Sequence, residues 1–386
     1  MNLYKHQSEF KARNPDKALL VWEGGTGKTV GACEWLKQGR DQDALVVCPK
    51  RICSKWEAEL IKWGAKATVM SKENFKKLPQ KEWSAKVIDE ADEFASPLFT
   101  KGRSQLATAM YNQTRRYPDT PTLLLTATPI RSNPYNLHTL LCYMGNWIDW
   151  KSWRKHYFNL ESRPYLPYPA WIPKKDWQKG IRQDLEKYAE IVLLKDCVDD
   201  LPPSVEEIVK IRSTGKFKKD IDWIEPMKIF VEKHKWEHQN AHKKVLEIGK
   251  EYRKVLVVAH YTDNLNLLKE KLSKDRTTFA VDGSMSGEEQ EKILLEANSE
   301  DCEECFLIVQ ASLGAGFDAD TFSCVIFSTM SFKVRDHIQM KYRVRRIHNL
   351  HPVKYVYLIG GKCSTRVYDT IMKGKDFVPS EFEDYE

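Results

Sequence analysis

The sequence predicts an α/β chain with two parallel sheets, each flanked by helices, joined by a helical, aromatic-rich connector. Three observations predict it. Apolar runs of strand length alternate with helical patterns, the mark of strand–helix–strand units and so of parallel sheets. The runs fall into two sets, separated by about 100 residues of different character. A glycine-rich turn, Glu23-Gly24-Gly25-Thr26-Gly27-Lys28-Thr29, joins the first run to a helical pattern.

The first set comprises Ala18–Trp22, Ala44–Cys48, Ala67–Met70, Lys86–Ile88 and Thr122–Thr126. The second comprises Lys254–His260, Thr277–Val281, Cys305–Val309, Cys324–Ser328 and Lys354–Ile359. Residues 131–250 read as mostly helical. We expect a first lobe over 1–140, a connector packed on it over 141–205, and a second lobe over 206–386. Between 145 and 180 the connector is dense in aromatics, including Trp147, Trp150, Trp153, Tyr157, Tyr165, Tyr168, Trp171 and Trp177, interleaved with Lys151, Arg154, Lys155, Lys174 and Lys175. Such a stretch serves either as a brace whose bases reach outward or as a base-stacking surface.

Composition excludes several classes. With 42% hydrophobic and 30% charged residues, the 386-residue chain is neither disordered nor fibrous. No apolar run approaches the roughly 20 residues a membrane span needs, and the first residues lack a signal-peptide pattern. The nine cysteines are scattered singly apart from Cys302 and Cys305, which implies reduced thiols and a cytoplasmic protein. That pair is either half of a metal site or plain loop thiols, and no second pair stands at finger spacing. A net charge of +7 suits a polyanionic partner and equally a solvated basic surface.

The glycine-rich turn carries the most chemistry. Gly24, Gly25 and Gly27, with Thr26, let successive backbone N–H groups converge on phosphate oxygens. Lys28 neutralises the β/γ-phosphates and the Thr29 hydroxyl ligates Mg²⁺, so the expected cofactors are ATP and Mg²⁺. Its partner is Val87-Ile88-Asp89-Glu90-Ala91-Asp92, a strand ending in adjacent carboxylates. Asp89 would hold Mg²⁺ through water, and Glu90 would orient and deprotonate the attacking water.

Asp89-Glu90-Ala91-Asp92, followed by Thr126-Ala127-Thr128-Pro129, resembles motifs II and III of superfamily 2 helicases. Further segments are similar to the Swi/Snf-type ATPases of that superfamily. Leu3-Tyr4-Lys5-His6-Gln7 resembles the leading glutamine motif, which implies that Gln7 reads the adenine edge. Val47-Cys48-Pro49-Lys50, with Trp56 and Glu59, resembles the first track-contacting motif. Leu194-Lys195-Asp196-Cys197-Val198 and Leu201-Pro202-Pro203 resemble an inter-lobe segment. In the second half, Lys254–Thr262 resembles motif IV and Val281-Asp282-Gly283-Ser284 the short motif after it. Ala311–Asp318 resembles motif V, and Gln339–Ile347 motif VI. Trp22, Tyr342, Glu289 and His348-Asn349 depart from the pattern, as does Leu193-Leu194, and large insertions have no room. The resemblance therefore points to a compact relative of the kind viruses and mobile elements encode.

It implies two RecA-like lobes that close on ATP and act as a DNA translocase, a nucleic-acid-stimulated ATPase. As a helix, motif VI places Gln339, Arg343 and Arg346 on one face, delivering Arg343 and Arg346 to the γ-phosphate, with Arg345 aimed about 200° away. Thr126, Thr128 and Gln339 are assigned to coupling. Lys50, Arg51, Ser71, Tyr261, Thr262 and Ser312 are assigned to a DNA track, probed through its phosphates without sequence specificity. The expected partner is duplex DNA, and the expected state a monomer. Two other readings stay open: a strand-separating helicase, and a nucleotide-gated binding module without turnover.

Overall fold

The computed structural model describes residues 2–78, 81–96, 98, 104–130, 134–162, 168–197, 203–214, 217, 226–313, 317–345 and 351–374. The chain divides into two compact units, Met1–Asp199 and Asp200–Glu386.

In the first unit, α1 (Lys5–Arg13) precedes β1 (Lys17–Trp22), α2 (Lys28–Leu36), β2 (Ala44–Cys48) and α3 (Cys53–Trp63). Then come β3 (Thr68–Ser71), α4 (Lys72–Phe75), β4 (Ala85–Asp89), α5 (Gln105–Arg116), β5 (Thr122–Thr126) and α6 (Tyr135–Tyr143). The unit ends with α7 (Trp150–Tyr157), β6 (Phe158–Glu161), β7 (Ala170–Pro173), α8 (Trp177–Tyr188) and β8 (Ala189–Val192). Its main sheet runs β3-β2-β4-β5-β1-β8 with every pairing parallel. Strand alternation divides the core: Leu19, Val21, Leu45, Val47, Ile88 and Leu124 pack on one face. Ala18, Leu20, Trp22, Val46, Val87, Leu123 and Leu125 pack on the other. Burial on both faces is why these strands read as unbroken apolar runs.

The second unit contains β9 (Ser204–Lys210), α9 (Pro226–Glu237), α10 (Ala241–Gly249), β10 (Lys254–Ala259), α11 (Thr262–Leu272), β11 (Thr278–Val281) and α12 (Gly287–Asn298). It continues through β12 (Cys305–Gln310), β13 (Cys324–Phe327), α13 (Val334–Val344), β14 (Val353–Ile359) and α14 (Lys362–Met372). The sheet order is β11-β12-β10-β13-β14-β9, again all parallel. Two helix-flanked parallel sheets are thus present, with two apolar layers on either side of the second as well.

The mostly helical connector also holds strands. It contains the antiparallel pair β6–β7, and β8 joins the first sheet as its edge. Trp153, Tyr157 and Phe158 are buried in the first unit's core, with Trp150, Trp171 and Trp177 packed against it. Arg154 lies over the Trp171 ring at 4.2 Å, and Trp153 Nε1 donates to the Pro134 carbonyl at 3.3 Å. These rings spend their faces on packing; Tyr168 and Trp147 remain exposed. Tyr165 lies outside the described residues.

Candidate nucleotide site and track-contact residues

The phosphate-loop candidate sits at the C-terminal end of β1. Gly25 and Gly27 have φ of 86° and 80°, a region open to glycine at little steric cost. Thr26 is buried, and its hydroxyl donates to the Glu23 carbonyl at 2.7 Å, closing the turn. Lys28 Nζ donates to the carbonyls of Trp22 at 2.6 Å and Glu23 at 3.2 Å, so its charge is held over the loop. Thr29 lies in the first turn of α2. Glycines at positive φ, a lysine over the turn and a helix N-terminus behind it fit a polyphosphate.

Trp22, where the motif has a small residue, is fully buried. It meets His6 edge-on at 4.6 Å and Phe10 at 5.7 Å. Space for it comes from Gly31, one turn into α2. Gln7 is also buried: its amide nitrogen donates to the carbonyls of Thr26 (3.3 Å) and Gly27 (3.2 Å), and its oxygen accepts from Tyr4 N. The side chain expected to read a base thus also braces the loop from beneath. A second brace is Glu23, whose carboxylate accepts from Leu194 N at 2.7 Å, while its own N–H donates to the Val192 carbonyl. The segment leaving β8 is thereby tied to the loop.

Asp89 and Glu90 end β4, on the same rim of the sheet. Asp89 accepts from Trp56 Nε1 at 2.8 Å and from Glu90 N at 2.9 Å. Desolvation, then the neighbouring Glu90 charge, pushes its carboxyl up to about 6. A nearby divalent cation would lower it again. Glu90 adopts φ 52°, one of two described non-glycine residues at positive φ. Such a conformation costs roughly 1–2 kcal/mol and aims the side chain off the strand direction. Among the described residues, no group of three or more His, Cys, Asp and Glu is arranged to hold a metal ion. A Mg²⁺ carried in with phosphates and water needs only one or two protein ligands.

Asp92 closes the Asp89-Glu90-Ala91-Asp92 motif, and its contacts are structural. Buried, it accepts from the hydroxyls of Thr126 at 3.1 Å and Thr128 at 3.4 Å, and Thr128 N donates to Thr126 Oγ1. The two threonines therefore join β4's exit to β5's exit. Trp56, the ligand of Asp89, was likewise visible only as a motif letter.

The residues assigned to track contact sit differently. Lys50 and Arg51 are exposed in the turn after β2, and Thr262 and Ser312 are exposed after β10 and β12. Ser71 is buried and its hydroxyl caps α4, accepting from Asn74 N. Tyr261 is partly covered, with its hydroxyl 2.9 Å from His234 Nδ1.

In the second unit, Gln339 is buried on α13 and Arg343 Nη1 donates to the Phe317 carbonyl at 2.9 Å. The helix ends at Val344, and Arg345, its C-cap, is extended at φ −89°, ψ 101°. Helical spacing therefore does not carry from Arg343 to Arg346. Arg345, beyond the last helical residue, is not turned away from Arg343 by helical spacing. Arg346, Ile347, His348 and Asn349 lie outside the described residues, as do Gly314, Ala315 and Gly316 of the motif V segment and Val198, Leu201 and Pro202 of the inter-lobe segment.

Residues 238–348 match the model of the helicase conserved C-terminal domain. A solved structure of the Sulfolobus solfataricus SWI2/SNF2 ATPase core in complex with dsDNA is similar over 100% of this chain and 92% of that one, at 16% identity and a TM-score of 0.43. A structure of an S. cerevisiae Dbp5 variant bound to RNA and ADP BeF3 is similar over 98% of this chain and 89% of that one, at 12% identity and a TM-score of 0.57. Residues 238–348 thus carry a helicase conserved C-terminal domain, and the chain shares with the Dbp5 structure its fold, two helix-flanked parallel sheets in tandem RecA-like lobes.

Proposed function

We propose that the chain is an ATP-dependent DNA translocase that moves along duplex DNA without reading its sequence. The observation that carries the reading is the rim of the first sheet. There Gly24–Thr29 follows β1, Asp89 ends β4 with Glu90 after it, and Asp92 ties this end to Thr126 and Thr128.

ATP with Mg²⁺ supplies the transferable phosphoryl group and the charge-neutralising cation. Around it, Lys28 and the loop amides hold phosphate oxygens, and Thr29 and Asp89 hold the metal's shell. Glu90 orients water and takes its proton. Arg343 and Arg346 of the second unit neutralise the γ-phosphate during turnover, a contribution worth about 10³–10⁵ in rate for arginine fingers generally. Asp92 passes the state of the carboxylate pair to Thr126 and Thr128 and so to the track residues. Lys50 and Arg51 of the first unit, and Thr262 and Ser312 of the second with Tyr261 beside them, contact DNA phosphates.

Support for duplex DNA over other tracks comes from the aromatic stretch. Trp153, Tyr157, Trp171 and Trp177 are spent on packing rather than offered as a base-stacking platform. The test is the ATPase rate of the purified chain with and without duplex DNA, with Lys28→Ala as the control. Stimulation by DNA that Lys28→Ala abolishes supports the reading; a rate indifferent to DNA contradicts it.

A further inference from the structure

In the second sheet β14 holds the place β1 holds in the first: fifth in order, between an inner neighbour and an edge strand. It too runs into a glycine-rich turn and a helix, Gly360-Gly361-Lys362 opening α14. Here the helix amides are already satisfied. The buried Glu237 carboxylate accepts from Cys363 N at 3.0 Å, Ser364 N at 2.8 Å and Ser364 Oγ at 2.8 Å. Glycine is what admits it, since a Cβ on Gly360 would lie 2.1 Å from the Glu237 carbonyl oxygen and one on Gly361 2.5 Å from Oε1. An internal carboxylate thus stands where a bound phosphate stands at other helix N-termini.

Beside this filled turn lies a cavity of about 640 Å³ whose lining includes Lys210, Arg212, Lys362, Arg366, Lys373 and Asp369. Five cations face one carboxylate. Lys362, Arg366 and Lys373, spaced four and seven apart, form a stripe along α14. Lys210 ends the edge strand β9, and Arg212 follows it. Among the described residues, Lys210, Arg212, Lys362 and Lys373 have no ion-pair partner, and all four are exposed. Like charges that outnumber their counter-charges raise one another's energy, and a polyanion relieves that.

We infer that this cavity is a further nucleic-acid site, gripping the phosphodiester backbone; the inference rests on the track reading above. Two features favour a backbone over a small anion. The amides that would seat a single phosphate are taken by Glu237, leaving only side-chain cations spread along the cavity. The cavity also opens at the C-terminal ends of β9 and β14, the rim that carries Tyr261, Thr262 and Ser312 after β10 and β12. From β10 to β9 is three strand spacings, roughly 14 Å, or about four nucleotides of axis length. One backbone can therefore lie across both.

The experiment measures binding of a fluorescein-labelled 30-base-pair duplex over a salt series, in the full chain without nucleotide. The combined variant Lys210→Gln, Arg212→Gln, Lys362→Gln, Lys373→Gln is compared with wild type, and Lys362→Glu alone serves as a milder second variant. Each phosphate contact contributes about 0.9 to the slope of log K against log salt. We expect the slope to shrink by about 2–4 in the combined variant and by about 1 in Lys362→Glu, with basal ATPase and unfolding temperature unchanged. Wild-type binding with an unaltered slope in both variants overturns the inference and leaves the track reading standing. A wild type that binds no nucleic acid fails the track reading itself. A second arm follows thermal stabilisation by inorganic phosphate. Stabilisation lost in the variants, with the duplex slope unaltered, assigns the cavity to a small anion and also overturns the inference.

Discussion

Gly31 leaves the room that Trp22 fills: a Cβ at position 31 would stand 2.9 Å from Trp22 Cζ3 and 3.0 Å from Cη2. The tryptophan replaces a small residue at the start of the phosphate loop, and the glycine inside α2 is its complement. Gly31→Ala, which raises helix propensity by up to about 1 kcal/mol on an exposed surface, should here lower stability by about 1–3 kcal/mol through overpacking. Chemical unfolding monitored by tryptophan fluorescence reads the difference. A stabilised Gly31→Ala protein would show that Trp22 packs elsewhere.

Lys28→Ala removes the charge held over the loop and little packing. ATP turnover should fall below detection while the circular dichroism spectrum stays that of wild type. Glu90→Gln should bind ATP with near-wild-type affinity and hydrolyse it at least 10²-fold more slowly, since an amide cannot take the water's proton. Normal turnover in Glu90→Gln would assign the base to another residue.

Asp92 accepts both threonine hydroxyls in a buried setting, so its removal strands them. Asp92→Ala should cost roughly 1–3 kcal/mol of stability and depress nucleic-acid-stimulated ATPase more than basal ATPase. Equal loss in both would make Asp92 a structural residue alone.

Much of this was legible in the sequence. All ten apolar runs are strands, within a residue or two at each end, because strands buried on both faces read as continuous apolar stretches. The edge strands β8 and β9 were not. Of β9's seven residues five are exposed, and Val205 and Ile208 are more than half so, which erases the apolar signal. The placing of Gly24–Thr29 between β1 and α2, and of Asp89 at the end of β4, was legible because each is a local pattern. The Asp92–Thr126 bond spans 34 positions and the Glu237–Ser364 bond 127, and no local pattern announces either. The motif VI spacing reads as helical to Arg346, whereas the helix stops at Val344, and nothing in Arg343-Val344-Arg345-Arg346 signals that end.

The second unit carries buried and half-buried histidines that set an acid limit. Burial pushes His238 and His260 down to about 4, His260 helped by the Lys333 charge, and lowers His234 further, helped by His238 and His260. In the unfolded chain these rings protonate near 6.5. Between about 6.5 and 4 the unfolded state binds more protons, so stability present above 6.5 is lost as pH falls through that window. The unfolding temperature should therefore drop from pH 7 to pH 4.5, and His238→Phe should flatten the drop. Parallel curves for the two proteins would contradict this.

The most direct test of the account compares ATPase rates with duplex DNA, single-stranded DNA and RNA at equal nucleotide concentration. A duplex translocase that grips phosphates predicts stimulation by duplex at least equal to that by single strands, weak stimulation by RNA, and loss of all three as salt rises. Stimulation confined to single strands or to RNA would contradict it, and would return the exposed rings Trp147 and Tyr168 to consideration as base-stacking groups.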